Sequence, residues 1–430
     1  MTDARSSTLS RRDFRTLALA ALGGALEFYD FIIFVFFTAV IAKLFFPPDM
    51  PEWLRQLQTF GIFAAGYLAR PLGGIVMAHF GDRMGRKRMF MLSVLLMAVP
   101  TLLMGLLPTY AVIGISAPLL LLLLRVLQGA AVGGEVPGAW VFVSEHVPES
   151  RIGFACGTLT AGLTFGILLG SLVASWINTT WSSEEILAWA WRLPFIIGGL
   201  FGLLAVWLRR YLEETPVFEE MRRRRELVKG LPLKVVLQGH WGAVIRSMLI
   251  TWMLTAGIVV VILMTPTLVQ SLFGIAPTVA ANASSLATFS LCVGCVMFGI
   301  AADRFGVERV LVFGAAGLVI ATAGLYQSLA VAPEYFTLAY TITGLFVGVT
   351  GAIPSLMVRA FPAAIRFSGI SFAYNVAYAI LGGLTPLVVS LWIRGGEPFA
   401  PVYYVTIASV AGAVAAIWAT RVRTTLPMAK

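Results

Sequence analysis

The sequence predicts an all-α membrane protein built as a duplicated set of six helices, and three observations carry that prediction. First, the 430 residues are 59% hydrophobic and 12% charged, with a mean hydropathy of +0.88, whereas a soluble domain carries about 25% charged residues. Second, twelve apolar stretches follow one another, each long enough to cross a ~30 Å hydrocarbon core at about 1.5 Å per residue. Third, the basic turn Gly81–Arg88 (GDRMGRKR) returns half a chain later as Ala302–Arg309 (ADRFGVER). Asp82, Arg83, Gly85 and Arg88 recur as Asp303, Arg304, Gly306 and Arg309. A repeat of this length marks a duplicated transport architecture with its site between the halves.

The expected spans are 16–45, 57–80, 89–107, 117–144, 153–177, 191–210, 241–270, 281–301, 310–329, 336–358, 367–393 and 400–420. They divide the chain into a tail (1–15), a first bundle (16–210), a linker (211–240), a second bundle (241–420) and a second tail (421–430). The polar Met1–Ser10 segment has no signal-peptide architecture, so the first apolar stretch is expected to stay as a helix. That helix carries Glu27 and Asp30 at i and i+3, on one face, with Tyr29 beside them. The second carries Arg70, followed by Pro71. The fourth carries Arg125 and Gln128, again i and i+3, then Gly133-Gly134 and Glu135. On the fifth, Gly157, Gly162, Gly166 and Gly170 form a small-residue stripe for close packing in lipid.

The segment Tyr211–His240 is the only long loop and holds the basic run Arg222–Arg225; it reads as a solvated linker, with an anionic-lipid contact as the smaller alternative. Thr251, Trp252 and Thr255 mark the seventh helix. On the eleventh, Ser371, Tyr374, Asn375 and Tyr378 fall at i, i+3, i+4 and i+7, one polar-aromatic stripe. Such a stripe lines a cavity or bonds between helices.

A net charge of +10 invites a nucleic-acid reading, but its placement excludes one. Most of the Lys and Arg fall on the side of the termini, while the opposite loops hold Lys43, Arg55, Arg192 and Arg394. This is the positive-inside bias, with both termini cytoplasmic. Cys292 and Cys295 form a C-x-x-C inside an apolar helix, and two ligands do not make a zinc site. His79, His146 and His240 sit beside no nucleophile, so neither an enzyme nor a cofactor is expected. The duplicated layout, without a filter motif, argues against a channel. A drug exporter is the main rival transporter.

Ionisable groups at bilayer depth cost roughly 2.5–3.5 kcal/mol each, so each needs a partner or a function. Here Glu27, Asp30, Arg70, Arg125 and Glu135 all lie in the first half. The functional reading is a proton-exchangeable carboxylate beside an arginine. A substrate anion that captures the arginine frees the carboxylate to take a proton. Asp30 and Glu135 are the favoured carboxylates; the competing reading is a static pair of Arg125 with Glu27, Asp30 or Glu135.

From residue 20 to about 395 the chain resembles the metabolite:proton symporters of the major facilitator superfamily. The matching segments are Gly24–Phe31, Arg70–Gly74, Gly81–Arg88, Arg125-x-x-Gln128-Gly129-x-x-x-Gly133-Gly134-Glu135, Trp191–Phe195, Glu213–Phe218 and Gly382–Pro386. The resemblance implies two six-helix bundles related by a pseudo-two-fold, rocking about a midplane site. It implies proton coupling at Arg125 with Asp30, Glu27 and Glu135, and substrate contacts from Tyr29, Arg70, Arg125, Gln128, Tyr374, Asn375 and Tyr378. It further implies a cytoplasmic gate of Asp82, Arg83, Gly85, Arg86, Glu145, Asp303, Arg304, Glu308 and Arg359. The chain departs from the pattern at Val307-Glu308 and Arg359, which suggests an ion pair of swapped polarity between Glu308 and Arg359.

Lacking the long coiled-coil tail of the proline/betaine members, and with Gly369–Thr385 closest to the citrate and dicarboxylate members, the chain is expected to import a small organic acid with protons. A zwitterionic osmolyte or a shikimate-like compound is the alternative. The expected setting is a monomer in a bacterial inner membrane.

Overall fold

The computed structural model describes residues 9–228 and 230–425, apart from the side chains of Glu27, Phe31, Gln56, Phe60, Phe63 and 422–425. Among the described residues, twelve helices are long and apolar enough to span a bilayer. They are α1 (Arg11–Phe36), α2 (Glu52–Met84), α3 (Arg86–Leu106), α4 (Ser116–His146), α5 (Glu149–Thr180) and α6 (Arg192–Arg209) in the first half. In the second half they are α7 (Trp241–Phe273), α8 (Pro277–Phe305), α9 (Val307–Val331), α10 (Pro333–Ala360), α11 (Ala363–Arg394) and α12 (Ala400–Arg421).

The repeat seen in the sequence is a repeat of packing. In the first bundle α1 lies on α5, α2 on α4 and α3 on α6; in the second, α7 lies on α11, α8 on α10 and α9 on α12. Adding six to each number converts one set into the other. The bundles meet along α5 with α8 and α2 with α11, which exchange under the same operation. Outward-facing apolar residues such as Leu68, Leu72 and Val76 on α2, and Phe313 and Ile320 on α9, are exposed. Their spacings of four and seven put each set on one helix face, as a lipid-facing surface requires.

Local chemistry sets the helix ends. A capping box at α1 has the Ser10 hydroxyl accepting from the Asp13 amide while the Asp13 carboxylate accepts from the Ser10 amide. The single stretch expected over 16–45 is interrupted at Phe37, and a separate helix, Thr38–Phe45, follows. The α2–α3 turn closes on Gly85 at φ 122°, and its repeat on Gly306 at φ 89°, a region that disfavours any Cβ. Two of the spanning helices contain a wider-wound stretch: α7 is π-helical over Ala256–Met264 and α11 over Tyr378–Gly382. Their loosened carbonyls are met by buried tyrosines, Val261 O by Tyr340 at 2.7 Å and Leu381 O by Tyr404 at 3.2 Å.

The expected solvated linker is in fact docked. It forms two short helices, Pro216–Arg224 and Pro232–Gly239, that bury Phe218, Met221 and Val236. Thr215 caps the first, its hydroxyl accepting from the Phe218 amide at 3.1 Å. On the exposed face of that helix, hydrogen bonding from Arg224, with Arg223 adding charge, holds the Glu220 carboxyl below its ordinary range.

Candidate functional site

Three charged clusters occupy the bundle interior and its edge on the side of the termini. The first is a relay at mid-depth. Arg125 Nη1 donates to the Gln128 carbonyl oxygen, and the Gln128 amide donates to Asp30 Oδ2 and, at 2.9 Å, to Thr101. Arg125 also lies 4.1 Å over the Phe34 ring. All of these polar groups are buried, and Asp30 Oδ1 has no hydrogen-bond partner among the described residues. The i, i+3 pairing of Arg125 and Gln128 read from the sequence thus becomes a bridge between α4 and α1.

The second cluster corrects an expectation. Glu135 does not join Arg125; it pairs directly with Arg209 of α6 at 2.7 Å and accepts from Ser93 of α3. Arg209 also donates to the carbonyls of Phe90 at 2.9 Å and Ala20 at 3.4 Å, with its guanidinium 3.6 Å from the Phe90 ring. A Cβ on Gly23 would fall 1.9 Å from Arg209 Nη2, so glycine makes the room. The Glu135 carboxylate therefore ties four helices of one bundle together and has the form of a static pair. Tyr29 is likewise turned away: its hydroxyl donates to the Pro194 carbonyl at 2.9 Å, buried against α6. The side chain of Glu27 lies outside the described residues.

On α11, Ser371 and Asn375 both donate to the Gly133 carbonyl, at 3.2 and 2.7 Å, across the bundle interface. This half of the stripe bonds between helices. Tyr374 and Tyr378, with Arg70 and Tyr67 of α2 and Trp140 of α4, form an aromatic cluster on the same interface. Tyr67 and Trp140 escaped the sequence reading, since nothing in their local spacing sets them apart from ordinary interior aromatics.

The third cluster is a latch on the side of the chain ends. Asp82 accepts from the Ser368 amide of α11 at 2.9 Å and pairs with Arg86 at 3.1 Å. Arg86 reaches Glu145 of α4 at 3.4 Å and the Ala363 carbonyl at 2.7 Å. Glu145 also pairs with Arg366 at 3.0 Å and accepts from Thr215 at 2.6 Å. The linker's Glu214 accepts from the Arg86 and Lys87 amides at 3.0 and 3.1 Å, capping α3. At the repeat, Asp303 accepts from the Gly153 and Phe154 amides of α5 at 2.7 and 2.8 Å. Each aspartate thus holds the first turn of a helix in the other bundle.

Arg83 and Arg304, expected in the gate, are exposed beside it. Arg359 reaches across to the Glu149 carbonyl at 3.1 Å. Arg366, Glu214, Thr215 and Ser368 belong to the latch and were not anticipated, because their partners are remote in sequence.

The Major Facilitator Superfamily model matches residues 20–386. The chain belongs to that superfamily. Among curated relatives of this superfamily member, a putative proline/betaine transporter of Staphylococcus aureus is 31% identical over 413 residues, covering 93% of this chain and 86% of the relative. The glycine betaine/proline/ectoine/pipecolic acid transporter OusA of Dickeya dadantii is 31% identical over 422 residues, covering 93% and 81%. The proline/betaine transporter of Salmonella typhimurium is 30% identical over 427 residues, covering 94% and 82%. Among solved structures, the proton:xylose symporter XylE superposes with a TM-score of 0.79 at 18% identity, covering 95% of each chain. FucP in its outward conformation gives 0.70 at 17% identity, covering 95% and 99%. These superpositions establish the fold: a major facilitator of twelve helices.

Proposed function

We propose that this protein is a proton-coupled symporter that takes up a small zwitterion, of the betaine or proline kind, across the bacterial inner membrane by alternating access. The observation that carries the substrate class is the run of relatives named for betaine, proline, ectoine and pipecolic acid, each matched over most of its length. Those compounds share one cationic nitrogen and one carboxylate, in contrast to the di- and tricarboxylates expected from the sequence. The organic-acid expectation therefore gives way to its alternative.

The relay supports the coupling. Arg125 is tied to Asp30 through Gln128, so a substrate carboxylate that draws Arg125 away weakens the hold on Asp30. A buried carboxylate losing its nearby cation takes up a proton more readily. Loading of substrate and proton thus favour each other. Given the positive-inside orientation, the closed latch lies on the cytoplasmic side. The proposed cytoplasmic gate is Asp82, Arg86, Glu145, Asp303 and Arg359, extended by Glu214, Thr215 and Arg366.

The test is uptake of labelled glycine betaine, proline, citrate, 2-oxoglutarate, succinate and shikimate into proteoliposomes, with and without an inward proton gradient. Gradient-stimulated uptake of betaine or proline, competed by the other, is the expected result. Uptake of a di- or tricarboxylate alone would overturn the zwitterion reading.

A further inference from the structure

Between α2 and α11, three aromatic rings gather around one guanidinium, and a fourth, from α4, backs them. Arg70 Cζ lies 4.4 Å from the ring centre of Tyr378, 5.6 Å from Tyr67 and 5.8 Å from Tyr374. Tyr67 stacks on Tyr378 at 5.9 Å, Tyr374 meets Tyr378 at 5.3 Å, and Trp140 abuts Tyr374 edge-on at 4.9 Å. The cage is drawn from both halves of the molecule: Tyr67, Arg70 and Trp140 from the first bundle, Tyr374 and Tyr378 from the second. Its walls therefore close only when the bundles meet here. Arg70, Tyr374, Tyr378 and Trp140 are all nearly inaccessible to solvent.

Rings set around a cation are the arrangement by which proteins recognise quaternary ammonium groups, through the negative faces of the π systems. Here the protein's own cation fills that place. The cage also stands close to the relay. Gly66, one helical turn before Arg70 on α2, packs on the Arg125 carbonyl, which lies 3.1 Å from where its Cβ would be. One turn is about 5.4 Å along the axis.

We infer that the Tyr67–Trp140–Tyr374–Tyr378 cage is the subsite for the substrate's ammonium group, held by Arg70 until substrate arrives. The incoming zwitterion exchanges its cation for the guanidinium, and the displaced Arg70 takes the substrate carboxylate. Swapping one cation for another leaves the charge inside the rings unchanged. A guanidinium is weakly hydrated and presents a fork that fits a carboxylate with two parallel hydrogen bonds, so it loses little on leaving the rings. This inference rests on the zwitterion reading above and names the site for it.

The test uses the full chain in lipid nanodiscs, titrated with glycine betaine and, separately, with tetramethylammonium, which has the cation and no carboxylate. Arg70→Ala empties the cage and removes the carboxylate partner. It is expected to bind betaine more weakly and tetramethylammonium more tightly, shifting the ratio of the two dissociation constants by about tenfold or more. Tyr378→Leu is expected to weaken both ligands at least tenfold, whereas Tyr378→Phe, which keeps the π face, stays within about threefold of wild type. Arg70→Ala weakening both ligands alike, as a purely structural arginine would, overturns the inference. So does equal behaviour of Tyr378→Leu and Tyr378→Phe, and that pair decides the matter if Arg70→Ala does not fold. Wild-type protein that binds neither betaine nor proline but does bind a carboxylic acid overturns the transport reading instead.

Discussion

Two buried acid–arginine pairs stand in the same bundle and are built differently. Glu135 and Arg209 touch directly, and Ser93, Phe90 and Ala20 supply further hydrogen-bond partners to the pair. Asp30 and Arg125 are joined through the amide of Gln128, and one Asp30 oxygen has no hydrogen-bond partner among the described residues. The first pair has every reason to stay as it is. The second leaves a lone pair unspent and a neutral intermediary that can let go of either side. A direct contact of opposite charges, as against one bridged by a neutral amide, separates a brace from a working part.

The comparison can be broken most forcefully at Glu135. Replacing it with Ala strands the Arg209 charge in the interior, a loss of about 3–5 kcal/mol for a buried pair. Thermal unfolding of the purified protein is expected to show a drop of that order, accompanied by poor membrane yield. If Glu135→Ala folds normally and loses only proton coupling, the two pairs have been assigned the wrong way round.

Asp30→Asn is the converse. Its Oδ1 can still accept from Gln128, so stability is expected to stay within about 1 kcal/mol of wild type. Gradient-driven accumulation is expected to fall to the level of passive exchange, while counterflow of unlabelled against labelled substrate persists. Loss of both modes together would point to a structural Asp30.

At the latch a smaller change is expected. Thr215→Ala removes one hydroxyl from the Glu145 carboxylate, a bond to a charged group worth about 1.5–3 kcal/mol. The loss falls on the closed state in particular. Cysteine-crosslinking yields across the α4–α11 contact near Glu145 and Arg366 are expected to decrease, with substrate affinity unaltered.

The smallest effect concerns Glu308 and Arg359. A surface pair contributes about 0–1 kcal/mol, and Arg359 also bonds to the Glu149 carbonyl. Glu308→Arg and Arg359→Glu are each expected to reduce uptake, and the double variant to recover part of that loss. Strictly additive losses would dismiss the swapped pair.

Much of the latch was legible in the sequence because a repeat and a turn are local signals. Asp82 and Arg86 are four residues apart, on either side of the turn at Gly85 that ends α2 and starts α3. The reach of Arg209 was not legible. Position alone puts it at the end of an apolar stretch, among residues counted as loop charge, and only the rotation of α6 about its axis turns it inward. Hydropathy says how deep a residue lies but not which neighbour it faces. For the same reason Glu135 was grouped with Arg125, ten residues away on α4, when its carboxylate points toward α3 and α6. The linker failed differently. Its composition is polar, but Thr215-Pro216 starts a helix whose Phe218 and Met221 find a groove that only the assembled bundles provide.

The clasp that Asp303 makes on α5 uses nothing but the main-chain amides of Gly153 and Phe154. Every residue but proline carries a main-chain N–H, so the donating half of this contact is shielded from genetic drift. Phe154 can be exchanged without loosening it. Position 153 is the exception, since a Cβ there would sit 2.4 Å from the Gly299 carbonyl and 2.7 Å from Asp303 itself. Descendants of this protein are thus free to rewrite the start of α5 around a single fixed letter.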